Sequence, residues 1–142
     1  MEIKNLMFEN YQNIPEDYIP NNMFPWRLPP DGVRDIVRGT TPEHFIYLPF
    51  KKSDVQSILI TYKQGFNLVE KKLGDITWDK DNDHLAYYQF TQEETNRFDS
   101  VINRPCRVQV RSLLNNGDVI ASEIYTIKIL KVLNDEVLDD DE

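Results

Sequence analysis

The region from Arg104 to Leu133 alternates between apolar and polar residues and predicts two antiparallel strands. The strands meet at Asn115-Asn116-Gly117-Asp118, and Asn-Gly favours a type I′ turn because both central residues need positive φ. A turn centred on Asn116 and Gly117 pairs residues of one mostly apolar face: Leu114 with Val119, Ser112 with Ala121, Val110 with Glu123, Val108 with Tyr125 and Cys106 with Ile127. Glu123 is the one charged residue on this face, and a bulge just after the turn would move it outward.

The same two-residue period recurs upstream of this hairpin. Val55–Gln64 is the strongest case, with Ile58, Ile60 and Tyr62 on one face, and further strands are predicted at residues 33–37, 43–50, 66–72, 76–78 and 84–90. Thr91 and Glu94 have the spacing of a capping box, which predicts a short helix between two strands. Turn signals about 8–12 residues apart are typical of an immunoglobulin-like antiparallel β-sandwich of about seven strands. We therefore predict an all-β sandwich domain over residues 34–133.

Residues 1–33 have the composition of an extended arm rather than of a domain. Five prolines interrupt every window long enough for a helix: Pro15, Pro20, Pro25, Pro29 and Pro30. The segment is nevertheless richer in large apolar side chains than a solvated linker. We predict that its aromatic side chains bind neighbouring subunits: Phe8, Tyr11, Tyr18, Phe24 and Trp26. An arm folded back on its own sandwich is the alternative.

Composition and charge narrow the classes of function. The chain has 142 residues and 40% hydrophobic content, which fits one domain with a modest core. Residues 1–33 carry a net charge of −3, residues 34–133 one of +1, and the acidic C-terminal tail, residues 134–142, one of −6. The overall charge of −8 argues against direct nucleic-acid binding. The sequence shows neither a signal-peptide pattern nor an apolar run of membrane-spanning length, so we expect no membrane association.

No motif in the sequence assembles a catalytic, cofactor-binding or metal site. The loop from Asp79 to Asp83 has alternating oxygen ligands, but it lacks the glycine and glutamate of an EF-hand, and a solvated turn is the favoured interpretation. His44 and His84 lie far apart in sequence. Cys106 is the one cysteine and follows Pro105 at the start of a strand, so we expect a buried inert thiol. The prediction is a protein without enzymatic activity and without cofactors.

Two charged features remain as candidate contact surfaces. Arg107, Arg111, Lys128 and Lys131 form either a basic stripe that meets the acidic tail of a neighbour or an ordinary solvated face. The tail ending in Asp139-Asp140-Asp141-Glu142 is either a solubilising end or a segment that binds a basic partner.

Several short motifs resemble a family of small proteins encoded by bacteriophages and prophages of gut Firmicutes. The motifs are Arg38-Gly39-Thr40-Thr41-Pro42, Leu48-Pro49-Phe50, Ile60-Thr61-Tyr62-Lys63-Gln64, Phe90-Thr91-Gln92-Glu93-Glu94-Thr95 with Phe98, Val108-Gln109-Val110-Arg111, Asn116-Gly117-Asp118, Ala121-Ser122 and Asp135-Glu136-Val137-Leu138. The resemblance spans residues 37–138 and leaves the arm outside it. It implies a virion structural component, and it implies no enzymatic role.

The expected function is therefore a non-enzymatic bacteriophage virion structural protein, made in the host cytoplasm and incorporated into the particle. It would be a capsid, connector or tail-associated adaptor or cement module whose partners are other virion proteins and copies of itself. The alternative is a small acidic phage protein that binds and inhibits a host factor. A carbohydrate-binding sandwich, with Tyr87 and Tyr88 as the nearest candidates, is a third hypothesis.

Overall fold

The computed structural model describes residues 4–5, 7–8, 32–101, 104–134 and 136–139, with the backbone alone for the first two pairs. In chain order the elements are β1 (Lys4–Asn5), β2 (Met7–Phe8), β3 (Ile36–Val37), β4 (Glu43–Tyr47), β5 (Val55–Gln64), β6 (Asn67–Lys72), β7 (Thr77–Trp78), β8 (Leu85–Gln89), α1 (Gln92–Asn96), β9 (Cys106–Leu114), β10 (Val119–Ala121), β11 (Tyr125–Ile127) and β12 (Ile129–Leu130). β1 and β2 pair with each other. Of the rest of the predicted arm, the structure describes residues 32 and 33: the Gly32 carbonyl accepts the Phe45 amide and Val33 lies in the core. The other arm residues lie outside the described residues.

The larger sheet is built around β5, the strand with the clearest alternation in the sequence. β5 pairs antiparallel with β6 on one side and with β9 on the other, and β9 in turn pairs with β10 and β11. Ile58, Ile60 and Tyr62 point into the core, as the two-residue period predicts. The inward face of β9 is also apolar, so the two longest strands share the centre of the core.

The smaller sheet covers the apolar side of the larger one. β8 lies between β4 and β7, all antiparallel, while β3 pairs in parallel with β12. The core contains residues from both sheets, including Ile46 and Phe90 from one side and Ile60 and Val108 from the other. Two antiparallel sheets with this division of strands form an immunoglobulin-like sandwich. The predicted all-β sandwich with one short helix is confirmed.

The hairpin between β9 and β10 differs from the predicted two-residue turn. Gly117 has φ of 95°, the amide of Gly117 donates to the carbonyl of Leu114, and the amide of Leu114 donates to Asp118. This is a three-residue connection with glycine in the left-handed position, which moves Val119 opposite Leu113 instead of Leu114. The type I′ prediction was wrong because Asn-Gly also suits this longer loop, where glycine alone needs positive φ.

A bulge further along the hairpin restores the predicted pairing. Three residues, 122–124, lie opposite two residues of β9, and from Tyr125 onward the register is the predicted one, with Tyr125 opposite Val108. The buried Ser122 takes the inward place, since its hydroxyl accepts from the amide of Val110 at 3.0 Å. Glu123 is exposed as a result, which removes the charge from the core face.

Other strand boundaries are shorter than predicted. The first strand covers Ile36–Val37 rather than residues 33–37, because Asp35 accepts the Lys128 amide with its carboxylate at 2.8 Å instead of with its backbone. The strand predicted at residues 84–90 begins at Leu85 because the amide of His84 donates to the side chain of Asn82.

Gly32 lies where the chain approaches β4 so closely that a side chain has no room. The Phe45 amide donates to the Gly32 carbonyl at 3.1 Å, and a Cβ at position 32 would lie 2.5 Å from the Phe45 carbonyl oxygen. We expect Gly32→Ala to lower the free energy of unfolding by about 1–3 kcal/mol, the usual cost of overpacking. Gly74→Ala is the matched control, because a Cβ there meets nothing within 4 Å. Urea denaturation of the two variants checks this, and equal stabilities would contradict the steric explanation.

Candidate functional site

The predicted arm contacts are not positioned by the structure. Phe8 belongs to β2, for which the backbone alone is described, and Tyr11, Tyr18, Phe24 and Trp26 lie outside the described residues. The binding role of these five aromatic residues therefore stays a prediction. The described residues contain two other features to weigh: a polar junction at one end of the sandwich and the outer face of the larger sheet.

The junction joins the segment of residues 38–42 to α1. Arg38 donates from Nε to the carbonyl of Phe98 at 2.7 Å, and the amide of Gly39 donates to the hydroxyl of Thr95 at 3.0 Å. That hydroxyl donates in turn to the carbonyl of Thr40 at 2.8 Å, and Thr95 is fully buried. The predicted capping box is present at the start of α1, with Thr91 and Glu94 bonded reciprocally. Two motifs far apart in sequence thus meet to hold one end of the fold.

The C-terminal segment is attached to the same junction. Gln92 of α1 uses both ends of its amide on Leu138: Nε2 donates to the Leu138 carbonyl, and the Leu138 amide donates to Oε1 at 2.9 Å. The side chain of Gln92 thus pairs with the backbone as a neighbouring strand would. The consequence is that the acidic residues after Leu138 leave the body from a defined point.

Gln64, at the end of β5, fixes the loop that precedes β9. Its side chain is fully buried, and Nε2 donates to the carbonyls of Asp99 and Arg104, both at 2.8 Å. Its Oε1 accepts from the amide of Asp99 at 2.8 Å. This arrangement positions Arg104 beside the start of β9, and Arg104 forms an ion pair with Asp99 at 2.6 Å.

A buried polar cluster links the two sheets, with His44 and Tyr88 on one sheet and Tyr62 on the other. His44 Nδ1 lies 2.6 Å from the hydroxyl of Tyr62, which lies 2.8 Å from the hydroxyl of Tyr88. Burial, together with the charge of Arg34, lowers the pKa of His44 to about 3, so its ring is neutral at physiological pH. Burial also raises the pKa of both tyrosines. The cluster serves the core, because all three residues are almost fully buried.

The structure also shows the surroundings of the other residues that the sequence analysis considered as sites. Burial raises the pKa of the Cys106 thiol to about 12, which fits the predicted inert thiol. In the loop from Asp79 to Asp83, the Asp79 carboxylate accepts the Asp81 amide at 3.0 Å, as in an Asx turn. Within the described residues, no group of three or more His, Cys, Asp or Glu side chains could hold a metal ion. Tyr88 is buried and Tyr87 packs on Phe45, with ring centroids 5.6 Å apart, so they do not form a shared exposed platform.

The outer face of the larger sheet carries four exposed cationic side chains and one exposed carboxylate, Glu70 of β6, which lies opposite Thr61. Lys63 of β5 lies opposite Arg107 of β9, and Arg111 of β9 lies opposite Leu59, which in turn faces Lys72 of β6. Among the residues that the structure describes, none of these four cations forms an ion pair. We call the surface of Lys63, Lys72, Arg107 and Arg111 the basic face.

Apolar side chains lie between and beside these cations. One groove of about 520 Å³, which we call the Lys63 groove, has cationic and apolar walls: Lys63, Arg104 and Arg107 with Pro105 and Ile124. A smaller groove further along β5 and β9 contains Lys72 and Arg111 with Leu59, Leu113 and Val119. Ile124 and Val119 are 58% and 62% exposed, so each groove has an apolar side chain that a partner can cover.

The sequence located this face only in part. Arg107 and Arg111 were placed correctly on the outer side of the hairpin, whereas Lys128 and Lys131 line neither groove. The sequence analysis does not identify Lys63 and Lys72, because they join the face only through the pairing of β5 with β9 and with β6. The signal that could have found Lys63 is its position on the polar side of the best predicted strand.

Comparisons with known proteins add little to this geometry. No protein-family model matches the chain, and a search of curated proteins gives no significant match. Among solved structures, the chain is similar to extracellular domains 3–5 of Drosophila OTK, with 12% identity and a TM-score of 0.38 over 84% of this chain. The alignment covers 37% of the OTK chain, so this protein spans little more than a third of that structure's length. No helix in the part of the chain that the structure describes is long and apolar enough to cross a membrane.

Proposed function

We propose that the protein is a non-enzymatic structural protein of a bacteriophage virion, a capsid, connector or tail-associated adaptor or cement module. Its β-sandwich would be held in the particle by the arm of residues 1–33. The observation that carries a binding role is the basic face, where four cations that form no ion pair among the described residues lie beside exposed aliphatic side chains on a sheet. Such a surface suits recognition of another protein better than chemistry on a substrate.

The assignment to a virion is supported by the sequence motifs described above. Two of them, residues 38–42 and residues 90–95, meet at the junction around α1, and a third ends at Leu138 on Gln92. These motifs therefore serve one structural purpose, which is to hold the end of the sandwich. A resemblance based on them concerns the whole folded domain rather than a few surface residues.

The arm supplies the proposed anchors. Aromatic side chains provide large apolar contact areas, and a few such residues commonly dominate the free energy of a protein interface. An extended segment can pair with or wrap along neighbouring subunits and become ordered as it binds. The sandwich would then act as a spacer or cement between subunits, with a copy number set by the symmetry of the particle.

A second function is favoured by the attachment of the tail. Because Gln92 holds Leu138, the acidic residues that follow start from a defined point on the body, and such a group could dock on a basic host factor. This alternative is a small acidic phage protein that inhibits a host protein. It predicts a soluble protein that is missing from purified particles and that loses activity when the terminal acidic residues are neutralised.

The arm prediction is tested in the full-length protein by replacing its five aromatic residues with serine. We expect the variant to be at least about tenfold depleted from purified virions, because hot-spot aromatics each contribute about 2 kcal/mol or more to binding. Quantitative mass spectrometry of particles from phage carrying either version gives the measurement. Thermal unfolding of the purified variant serves as the control, since the body should keep its stability.

Two results would contradict the proposed function. Absence of the unaltered protein from purified virions would exclude a structural role and would favour the host-inhibitor alternative. Undiminished incorporation of the serine variant would leave the protein in the particle but would exclude the arm as its anchor.

A further inference from the structure

The Lys63 groove combines two kinds of recognition in a small area. Lys63 and Arg107 are exposed cations on neighbouring strands, directly opposite each other in the register. Pro105 and Ile124, both exposed, add an apolar wall beside them. A ligand that fits this groove should carry carboxylates next to aliphatic side chains, because each part would then meet its complement.

The chain itself contains a segment with this chemistry. Val137 and Leu138 are 57% and 74% exposed, and they precede four consecutive acidic residues, Asp139-Asp140-Asp141-Glu142. The tail of residues 134–142 carries a net charge of −6, while residues 34–133 carry +1. The largest charge contrast within the protein is thus between its tail and its basic face.

We propose that the Lys63 groove binds the acidic C-terminal segment of a second copy of this chain. The carboxylates of residues 139–142 from one copy would lie against Lys63 and Arg107 of the next, with the aliphatic side chains of the segment against the apolar wall. The inference rests on charge complementarity and on the anchored position of Leu138, and it does not depend on the arm or on a location in virions.

This contact is heterologous, because it joins two different surfaces of identical chains. Each copy keeps a free groove at one end of a pair and a free tail at the other, so association continues head to tail into a ring or an open filament. Gln92 favours such an arrangement because it restricts the starting point of the tail and lowers the entropic cost of binding. Repeated copies of the chain could therefore join without another protein.

The test uses charge reversal in the full chain, with sedimentation equilibrium to measure self-association. The groove variant is Lys63→Glu with Arg107→Glu, and the tail variant replaces Asp139, Asp140 and Asp141 with Lys. At about 50 mM salt we expect each variant alone to associate at least about tenfold more weakly than the unaltered protein, and we expect salt of about 500 mM to weaken the unaltered protein as well. The control variant, Lys52→Glu with Lys80→Glu, has the same change in charge at exposed positions that line neither groove and should associate normally.

Mixing the two variants separates binding between copies from binding within one copy. In the mixture, the acidic tail of the groove variant meets the intact groove of the tail variant, and the reversed pair is also complementary, so association should return. A mixture that stays monomeric would overturn the proposal, because it would show that the tail of one copy does not bind the groove of another. Unchanged association of the groove variant would also overturn it. If the groove variant instead lost binding to single-stranded DNA or heparin while self-association persisted, the groove would be a polyanion site and the proposal would fail.

Discussion

Replacing Glu94 with glutamine is expected to lower the free energy of unfolding by about 3 kcal/mol, because it leaves a buried ammonium group without a counter-charge. Lys71 of β6 is almost fully buried, and its Nζ lies 2.8 Å from Glu94 Oε1 and 5.3 Å from the centre of the Phe90 ring. Glutamine keeps the side-chain volume and can still accept the Thr91 amide that Glu94 accepts at 2.9 Å. The expected loss therefore reports the charge of Glu94 rather than the cap of α1.

The double variant Glu94→Gln with Lys71→Met supplies the control. Methionine occupies a similar volume to the lysine stem and removes the stranded charge, so we expect the double variant to lie within about 1 kcal/mol of the unaltered protein. Urea denaturation at neutral pH measures all three proteins. If Glu94→Gln alone changed the stability by less than about 0.5 kcal/mol, the Lys71 ammonium group would be reaching water and the pair would be an ordinary surface ion pair.

The ion pair of Lys71 with Glu94 shows which contacts can and cannot be predicted from the sequence. Thr91 and Glu94 predict the capping box from local spacing alone, and the structure confirms it. Nothing in the sequence shows that Glu94 also binds Lys71, since the two residues belong to different elements and meet only after the sheets have packed. Lys71 lies at an inward position of β6, where the alternation of the strand predicts an apolar residue. Its burial is explained only by its ion pair with Glu94, which the sequence does not show.

The same limit applies to the candidate surfaces. Local alternation predicted β5 with its observed bounds, and it placed Arg107 and Arg111 on the outer face. The groove, however, needs Lys63 from β5 beside Arg107 from β9, and their pairing is a long-range contact that no local rule specifies. The predicted register of the hairpin next to the turn was wrong for a related reason. Asn-Gly occurs in loops of two and of three residues, and the choice between them depends on where Ser122 and Glu123 can lie.

The contact that joins the two sheets in the core could not be predicted from the sequence. Antibody-type domains join their sheets with a disulfide beside a tryptophan, and the single cysteine showed that this protein lacks such a bridge. The structure has a histidine and two tyrosines in hydrogen-bond contact instead. A hydrogen-bonded link of this kind stabilises the native packing only while its members keep the right protonation state. The domain should therefore depend on pH in a way that a disulfide-linked sandwich does not.

Stability should fall as the pH drops below about 6.5, the ordinary value for a histidine in an unfolded chain. Burial lowers the pKa of His44 to about 3, so between these two values the unfolded state binds a proton that the folded state does not. The contribution of His44 is present in full above the unfolded pKa and is lost by about 1.4 kcal/mol for each pH unit below it. At pH 5 the expected loss is about 2 kcal/mol, and it continues toward pH 3.

The variant His44→Phe isolates this effect. Phenylalanine keeps a ring in the core and leaves the Tyr62–Tyr88 hydrogen bond in place, but it cannot take up a proton. Every other titratable group is common to both proteins, so the difference between their stability curves reports His44 alone. Urea denaturation from pH 7.5 to pH 5 should show a steeper decline for the unaltered protein, by about 2 kcal/mol over the range. Parallel curves would mean that the His44 ring takes up a proton inside the folded domain, and the neutral cluster would then not be what joins the two sheets.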